Sequence, residues 1–270
     1  MVDFSKVTAI DFHTHAEEPC NTCRDDGYNE FQSSMAAYFK NPAGAEGMLP
    51  TVQDTADYYR ARNIAAVIFP VDAERETGFK RYSNEEVAQI CAQNDDILIP
   101  FASVDPHKGK AGAREIRRLV RDFGVRGFKF HPTMQGFYPN DRMAYDLYEA
   151  IAENGGIALF HTGQTGVGSG MRGGNGMRLK YSNPMYMDDV AVDFPDIKII
   201  LAHPSFPWQE EALAVAQHKP NVYIDLSGWS PKYFPEILVK YCNSILKKKV
   251  LFGSDRPMIT PERWLSDFEK

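Results

Sequence analysis

Short apolar runs alternate with longer polar stretches of helical period along this chain. Eight runs rich in Val, Ile and Phe stand at 7–15, 64–72, 97–105, 125–132, 157–163, 198–204, 221–228 and 250–255. Such runs read as strands buried on both faces. Helical patterns lie between and after them, at 52–63, 83–94, 110–123, 142–154, 185–194, 208–218, 233–245 and 261–270. Ser83 with Glu86 three residues on has the spacing of a capping box. Ile116, Leu119, Val120 and Phe123 make one apolar stripe. Gly155-Gly156 stops the helix before it.

Strands buried on both faces and joined by helices imply a parallel sheet with crossover connections. Eight units close most simply as a single α/β domain, a (β/α)8 TIM barrel over 1–270. The rival, an open doubly wound sheet, usually carries a Gly-rich phosphate loop after its first strand. Here the first run ends instead in His13-Thr14-His15. The last helical pattern is short and stops at Lys270. Two connections are long: 16–51 after the first strand, and 164–184 after the fifth. The second, counted from Gly163, holds seven glycines. Both follow the C-terminal ends of strands, where barrel active sites are built, and both are expected to act as lids.

Composition narrows the classes. The 270 residues carry a net charge of −6, which argues against a nucleic-acid or membrane-surface partner. The hydrophobic fraction of 43% suits a sizeable core. No apolar run approaches the ~18 residues of a membrane span. The opening residues, Met1 to Lys6, lack the basic-then-apolar pattern of a secretory signal. Four cysteines are few for this length, so a reducing cytoplasm is expected. Cys20-x-x-Cys23 has no second ligand pair and reads as ordinary loop thiols.

The chemistry gathers at the strand ends. They read Asp11-Phe12-His13-Thr14-His15, Lys129-Phe130-His131-Pro132, His161-Thr162-Gly163, Ala202-His203-Pro204 and Gly253-Ser254-Asp255. Residues i and i+2 of a strand share a face, so His13 and His15 project together. Imidazoles from several strands with one carboxylate make a zinc-type site. His107 and His218 fall in a turn and at a helix end, and read as surface residues. Arg172, Arg178 and Lys180 sit in or beside the Gly-rich connection, where they suit a substrate anion. Tyr28, Phe31 and Tyr38 offer an aromatic wall. Asp225 and Trp229 end the seventh strand within reach of the pocket.

His13-x-His15, His161, His203 and Asp255, with Gly127-Phe128-Lys129-Phe130-His131-Pro132 and Phe252-Gly253-Ser254-Asp255, resemble the amidohydrolase superfamily and its amidohydrolase-2 branch. That branch includes aminocarboxymuconate-semialdehyde decarboxylase and lactone and C–C bond hydrolases. The resemblance implies one divalent metal, zinc first and manganese as the alternative, held by His13, His15, His161 and Asp255. Asp255 would also serve as general base, and His203 would polarise the substrate or move a proton. Lys129 would meet a substrate anion or, carboxylated, bridge two metals. Arg256 replaces the aromatic residue usual after the Asp, and would reach a substrate anion or face solvent. Asp11 is expected to share a face with His13 and support it from behind.

The function so implied is a metal-dependent hydrolase. It would use a metal-activated water on a small carboxylated or acyl substrate, a lactone, ester or C–C bond of aromatic catabolism. The alternative is a non-oxidative decarboxylase of the same branch. The expected partner is a small anionic molecule, with self-association into a homo-oligomer left open.

Overall fold

The structure, a computed structural model, describes residues 2–16, 26–40 (side chains from 33 onward) and 50–270. Its elements in chain order are β1 (Ala9–His15), α1 (Asp26–Phe39), α2 (Val52–Arg60), β2 (Ile64–Phe69), α3 (Glu74–Thr77), α4 (Asn84–Gln93), β3 (Leu98–Ala102), α5 (Gly109–Phe123), β4 (Gly127–Phe130), α6 (Pro132–Gln135), α7 (Tyr145–Glu153), β5 (Ile157–His161), α8 (Tyr186–Asp193), β6 (Lys198–Ala202), α9 (Gln209–His218), β7 (Val222–Asp225), α10 (Glu236–Cys242), β8 (Val250–Leu251) and α11 (Pro261–Phe268). The eight strands pair in sequence order, all parallel. The seam between first and last is closed by Phe12 N–H to Phe252 O (2.9 Å), Asp255 N–H to His13 O (3.0 Å) and His15 N–H to Arg256 O (2.8 Å). This is the expected (β/α)8 barrel.

Two apolar layers hold it. Between strands and helices, Phe128, Phe130, Tyr148, Phe160, Leu119 and Ile151 are fully buried. Phe130 stacks on Phe160 with centroids 5.0 Å apart. Inside the barrel, Val67, Phe69, Phe101, Leu159, Ile200 and Ala202 form a second cluster. Gly127 makes room for it: a Cβ there would stand 2.5 Å from the Phe101 ring.

The strands end earlier than the apolar runs suggest. The run 198–204 is strand only to Ala202, and 250–255 only to Leu251. Past those points His203, Ser205 and Asp255 take left-handed backbone angles, with φ of 72°, 65° and 72°. In β1 the register shifts between Asp11 and Thr14. That bulge corrects the expectation for Asp11. Its carboxylate turns outward, taking hydrogen bonds from Tyr59 OH (2.6 Å), Ser254 N (2.9 Å) and His13 N (3.1 Å). It fastens β1 to the segment after β8 and does not touch the His13 ring.

Cys20 and Cys23 and the side chains of Tyr28 and Phe31 lie outside the described residues. No helix among the described residues is long and apolar enough to cross a membrane.

Candidate active site

The strand ends converge on one buried floor. His13 Nδ1 donates to Asp225 Oδ2 at 2.5 Å, and Ser227 holds that carboxylate through its N–H and hydroxyl, both at 2.9 Å. The His13 proton is therefore on Nδ1, and the Nε2 lone pair faces the floor, 3.2 Å from Asp255 Oδ1 and 3.2 Å from Lys129 Nζ. His15 Nε2 reaches the same Asp255 oxygen at 3.1 Å. His203 Nδ1 donates to the Ser227 carbonyl at 3.0 Å. Its Nε2 accepts from His161 Nδ1 at 3.0 Å. By the same accounting His161 keeps a lone pair on Nε2. That atom is buried and has no hydrogen-bond partner among the described residues.

This arrangement fits a divalent cation. An imidazole whose other nitrogen donates to a carboxylate is the usual state of a metal-bound histidine. An unused buried lone pair is uncommon unless something absent meets it. The ligating atoms of His13, His203 and Asp255 all lie within 4.8 Å of one another. That tight triplet takes His203 where the family pattern takes His15 and His161. His203 Nε2, however, already receives a proton donor, and His161 Nε2 does not, so the free lone pair belongs to His161.

Electrostatics keeps the floor ready. Burial pushes His13, His131 and His161 well below the ordinary imidazole range, and His203 down to about 4. All four are neutral at pH 7, as metal ligands and proton acceptors must be. Burial brings Lys129 down to about 8, against the pull of the Asp255 and Asp225 carboxylates. For Asp255 burial works upward but is outweighed, chiefly by the His15 hydrogen bond, so its pKa is lowered and it stays ionised. Left-handed backbone at a non-glycine residue costs about 1–3 kcal/mol, and here it falls on His203 and Asp255 themselves. Close packing fixes the rest: a Cβ at Gly228 would lie 2.5 Å from His203 Nδ1, and one at Gly253 2.3 Å from Asp225 Oδ1.

Above the floor opens a cavity of about 380 Å³. His15, His131, His161, His203 and Asp255 form its base. Met35, Tyr38 and Phe39 of α1, Val71 and Phe79, Val167, Trp229, Tyr233, Met258 and Ile259 make apolar walls. Both long connections thus reach the pocket, 164–184 through Gln164 to Val167. Lys40, Lys80, Arg81 and Arg263 bring positive charge to the lining. Arg81 pairs with Glu115 at 3.2 Å; the other three are exposed and meet no carboxylate among the described residues.

The expected anion-binding residues are placed elsewhere. Arg172 and Arg178 are exposed and do not line the cavity. Gly173, Gly174 and Asn175 are left-handed in succession, which folds the connection back on itself. Lys180 lies over the rings of Tyr138 and Tyr181. Arg256 points behind β1, donating to Thr55 Oγ1 at 2.8 Å with its guanidinium 4.1 Å from the Tyr58 ring centre. Lys129 is fully buried beneath the cavity. Sequence reasoning missed the cations on the wall, because none stands beside a strand end. It also missed the partnership of Asp225 with His13, for which Gly253 was the available signal.

A sequence profile described as amidohydrolase matches residues 10–270. Protein fluG of Emericella nidulans is 28% identical over 170 residues, which are 57% of this chain and 18% of that protein. An uncharacterized TIM-barrel protein of Bordetella bronchiseptica superposes with a TM-score of 0.72 at 22% identity, over 97% of this chain and 99% of that one. A dihydroxybenzoic acid decarboxylase of a Polaromonas species, solved with bound manganese and an inhibitor, gives 0.66 at 15% identity over 97% and 90%. With the profile spanning nearly its full length, the chain belongs to the amidohydrolase family, in its amidohydrolase-2 branch.

Proposed function

We propose that the chain is a divalent-metal-dependent enzyme that removes CO2 from a small carboxylated substrate without an oxidant. The observation that carries the metal is the buried, unpartnered Nε2 of His161 beside the His13 and Asp255 donors. His13, His15, His161 and Asp255 would hold one ion, zinc or manganese, over Lys129. When bound, such an ion polarises substrate oxygens and draws electron density from the breaking bond.

The chain's own groups do the remainder. The apolar walls receive the body of the substrate, and the cations of the lining favour its negative charge. As the C–C bond to the carboxyl group breaks, its electron pair stays on the ring or chain carbon. That carbon takes a proton that originates in water; the ionised Asp255, at the base of the cavity, would first take it up and then pass it on, with the bare Nε2 of His203 beside it as a second acceptor. The decarboxylase among the similar folds supports this reaction over hydrolysis. Hydrolysis of an ester, lactone or C–C bond is the second reading, favoured by the ionised Asp255, which suits a base that takes a proton from water. Sparse cysteine supports a cytoplasmic setting.

The test is a panel of aromatic and unsaturated carboxylic acids, esters and lactones, turned over in H2¹⁸O. Release of CO2 with an unlabelled product supports decarboxylation. Label in the product marks hydrolysis. A purified protein without metal, and unresponsive to added Zn²⁺ or Mn²⁺, overturns both.

A further inference from the structure

His131 has no part in the roles above, yet it is built into the floor. It follows β4 and caps the short helix α6, its Nδ1 accepting the Met134 N–H at 3.3 Å. With Nδ1 committed as acceptor, the proton of the neutral ring is on Nε2. The ring lies flat on His161, centroids 3.9 Å apart and planes 8° apart. The residue is 3% exposed and lines the cavity. Nε2 is not among the buried unpartnered atoms and meets no protein group among the described residues, so its N–H opens on the cavity. The main chain cannot swing the ring away: His131 N donates to Gln135 Oε1 at 2.8 Å, and Gln135 Nε2 donates to the Asp72 carbonyl at 2.9 Å. Capping alone calls for Ser, Asp or Asn, which do it with fewer atoms.

We infer that His131 is a catalytic hydrogen-bond donor, its Nε2–H meeting the substrate oxygen on which negative charge grows. The assignment rests on the reading of this floor as the active site, and holds for either reaction considered above. In decarboxylation the electron pair left on carbon is shared with a neighbouring oxygen. In hydrolysis the attacked carbonyl oxygen becomes an oxyanion. A fixed donor in a dry site stabilises both, and loss of one such donor typically lowers kcat about 10²–10³-fold.

Three variants and one spectrum test it. H131N keeps an acceptor for Met134 N but is too short to reach the cavity. It should retain the wild-type melting temperature and metal content, and lose about 10²–10³ in kcat with KM little changed. H131Q, with a longer amide donor, should recover part of that loss, and H131A should match H131N in rate. In metal-free protein labelled with ¹⁵N-histidine, His131 should show a protonated Nε2 and a bare Nδ1. A wild-type rate in H131N, metal loss that accounts for its defect, or an Nδ1–H tautomer overturns the assignment of His131 while leaving the site intact. A wild-type protein that turns over none of the panel overturns the reading of the site, and this inference with it.

Discussion

The same strands carry opposite chemistry at their two ends. On β5, Leu159 fills the barrel and His161, one pleat further, belongs to the floor; on β4 the pair is Gly127 and Lys129, and on β7 Tyr223 and Asp225. Both members of each pair point inward, because inward positions recur every second residue. The lower layer buries apolar surface, which stabilises by roughly 25 cal/mol per Å². The upper layer buries neutral imidazoles, a lysine and two carboxylates, and holds His203 and Asp255 in a strained backbone. Those features oppose folding. The difference shows a division of labour: one layer stabilises the barrel, and the other spends part of that stability on a site poised in advance.

The sharpest way to break that division is at Asp255. Asp255→Asn should leave the fold in place, because the amide retains most of the packing. It also removes a charge that the His15 hydrogen bond stabilises against burial, so the melting temperature is expected to fall slightly. Activity should fall by about 10²–10⁴, since an amide neither takes up nor delivers a proton. Steady-state rates beside a melting curve and elemental analysis check it. Loss of the cooperative melting transition together with activity would make Asp255 part of the scaffold.

The converse belongs to the lower layer. Phe101→Ala removes a fully buried ring and should cost about 3–5 kcal/mol in denaturant unfolding. Below its new melting temperature the variant should still bind metal with wild-type affinity. Loss of metal binding in the folded variant would show that the layers are not separable.

How much of this was legible in the sequence follows from the same periodicity. Eight apolar runs were visible, and so were the residues at their ends, because a barrel buries its strands completely and places function where they stop. The turn of the backbone was not. His203 and Asp255 adopt left-handed angles without being glycine, so nothing local announced where the strands end. The bulge in β1 was equally silent, and simple alternation put Asp11 on the wrong face. The cavity wall at 71–82 is polar and lacks periodicity, and its side chains turn inward only through tertiary packing.

Asp225 joins the two ends, at the top of an apolar strand and under His13, a proposed metal ligand. Asp225→Asn keeps an acceptor for His13 Nδ1 but removes the carboxyl group that Ser227 aligns against the ring. Metal affinity should fall about 10–100-fold, measured by competition with a chelator. Unchanged affinity would mean that His13 is oriented by packing alone.

The smallest expected effect separates the mouth of the cavity from the Gly-rich connection beside it. Lys80 and Arg263 line the cavity without a carboxylate partner among the described residues; Arg172 and Arg178 are exposed outside the lining. If charge at the mouth attracts the substrate, Lys80→Ala and Arg263→Ala should each raise KM a few-fold with kcat unchanged, as expected for binding that is uniform along the reaction. Arg172→Ala and Arg178→Ala should change neither. The effect at the mouth should shrink as salt rises, because exposed charges are screened over about 8 Å at physiological ionic strength. The reverse result, with KM moved by the loop arginines and not by Lys80 or Arg263, would mean that the connection closes over the substrate in a state different from this one. Its glycines would then serve as hinges for the lid.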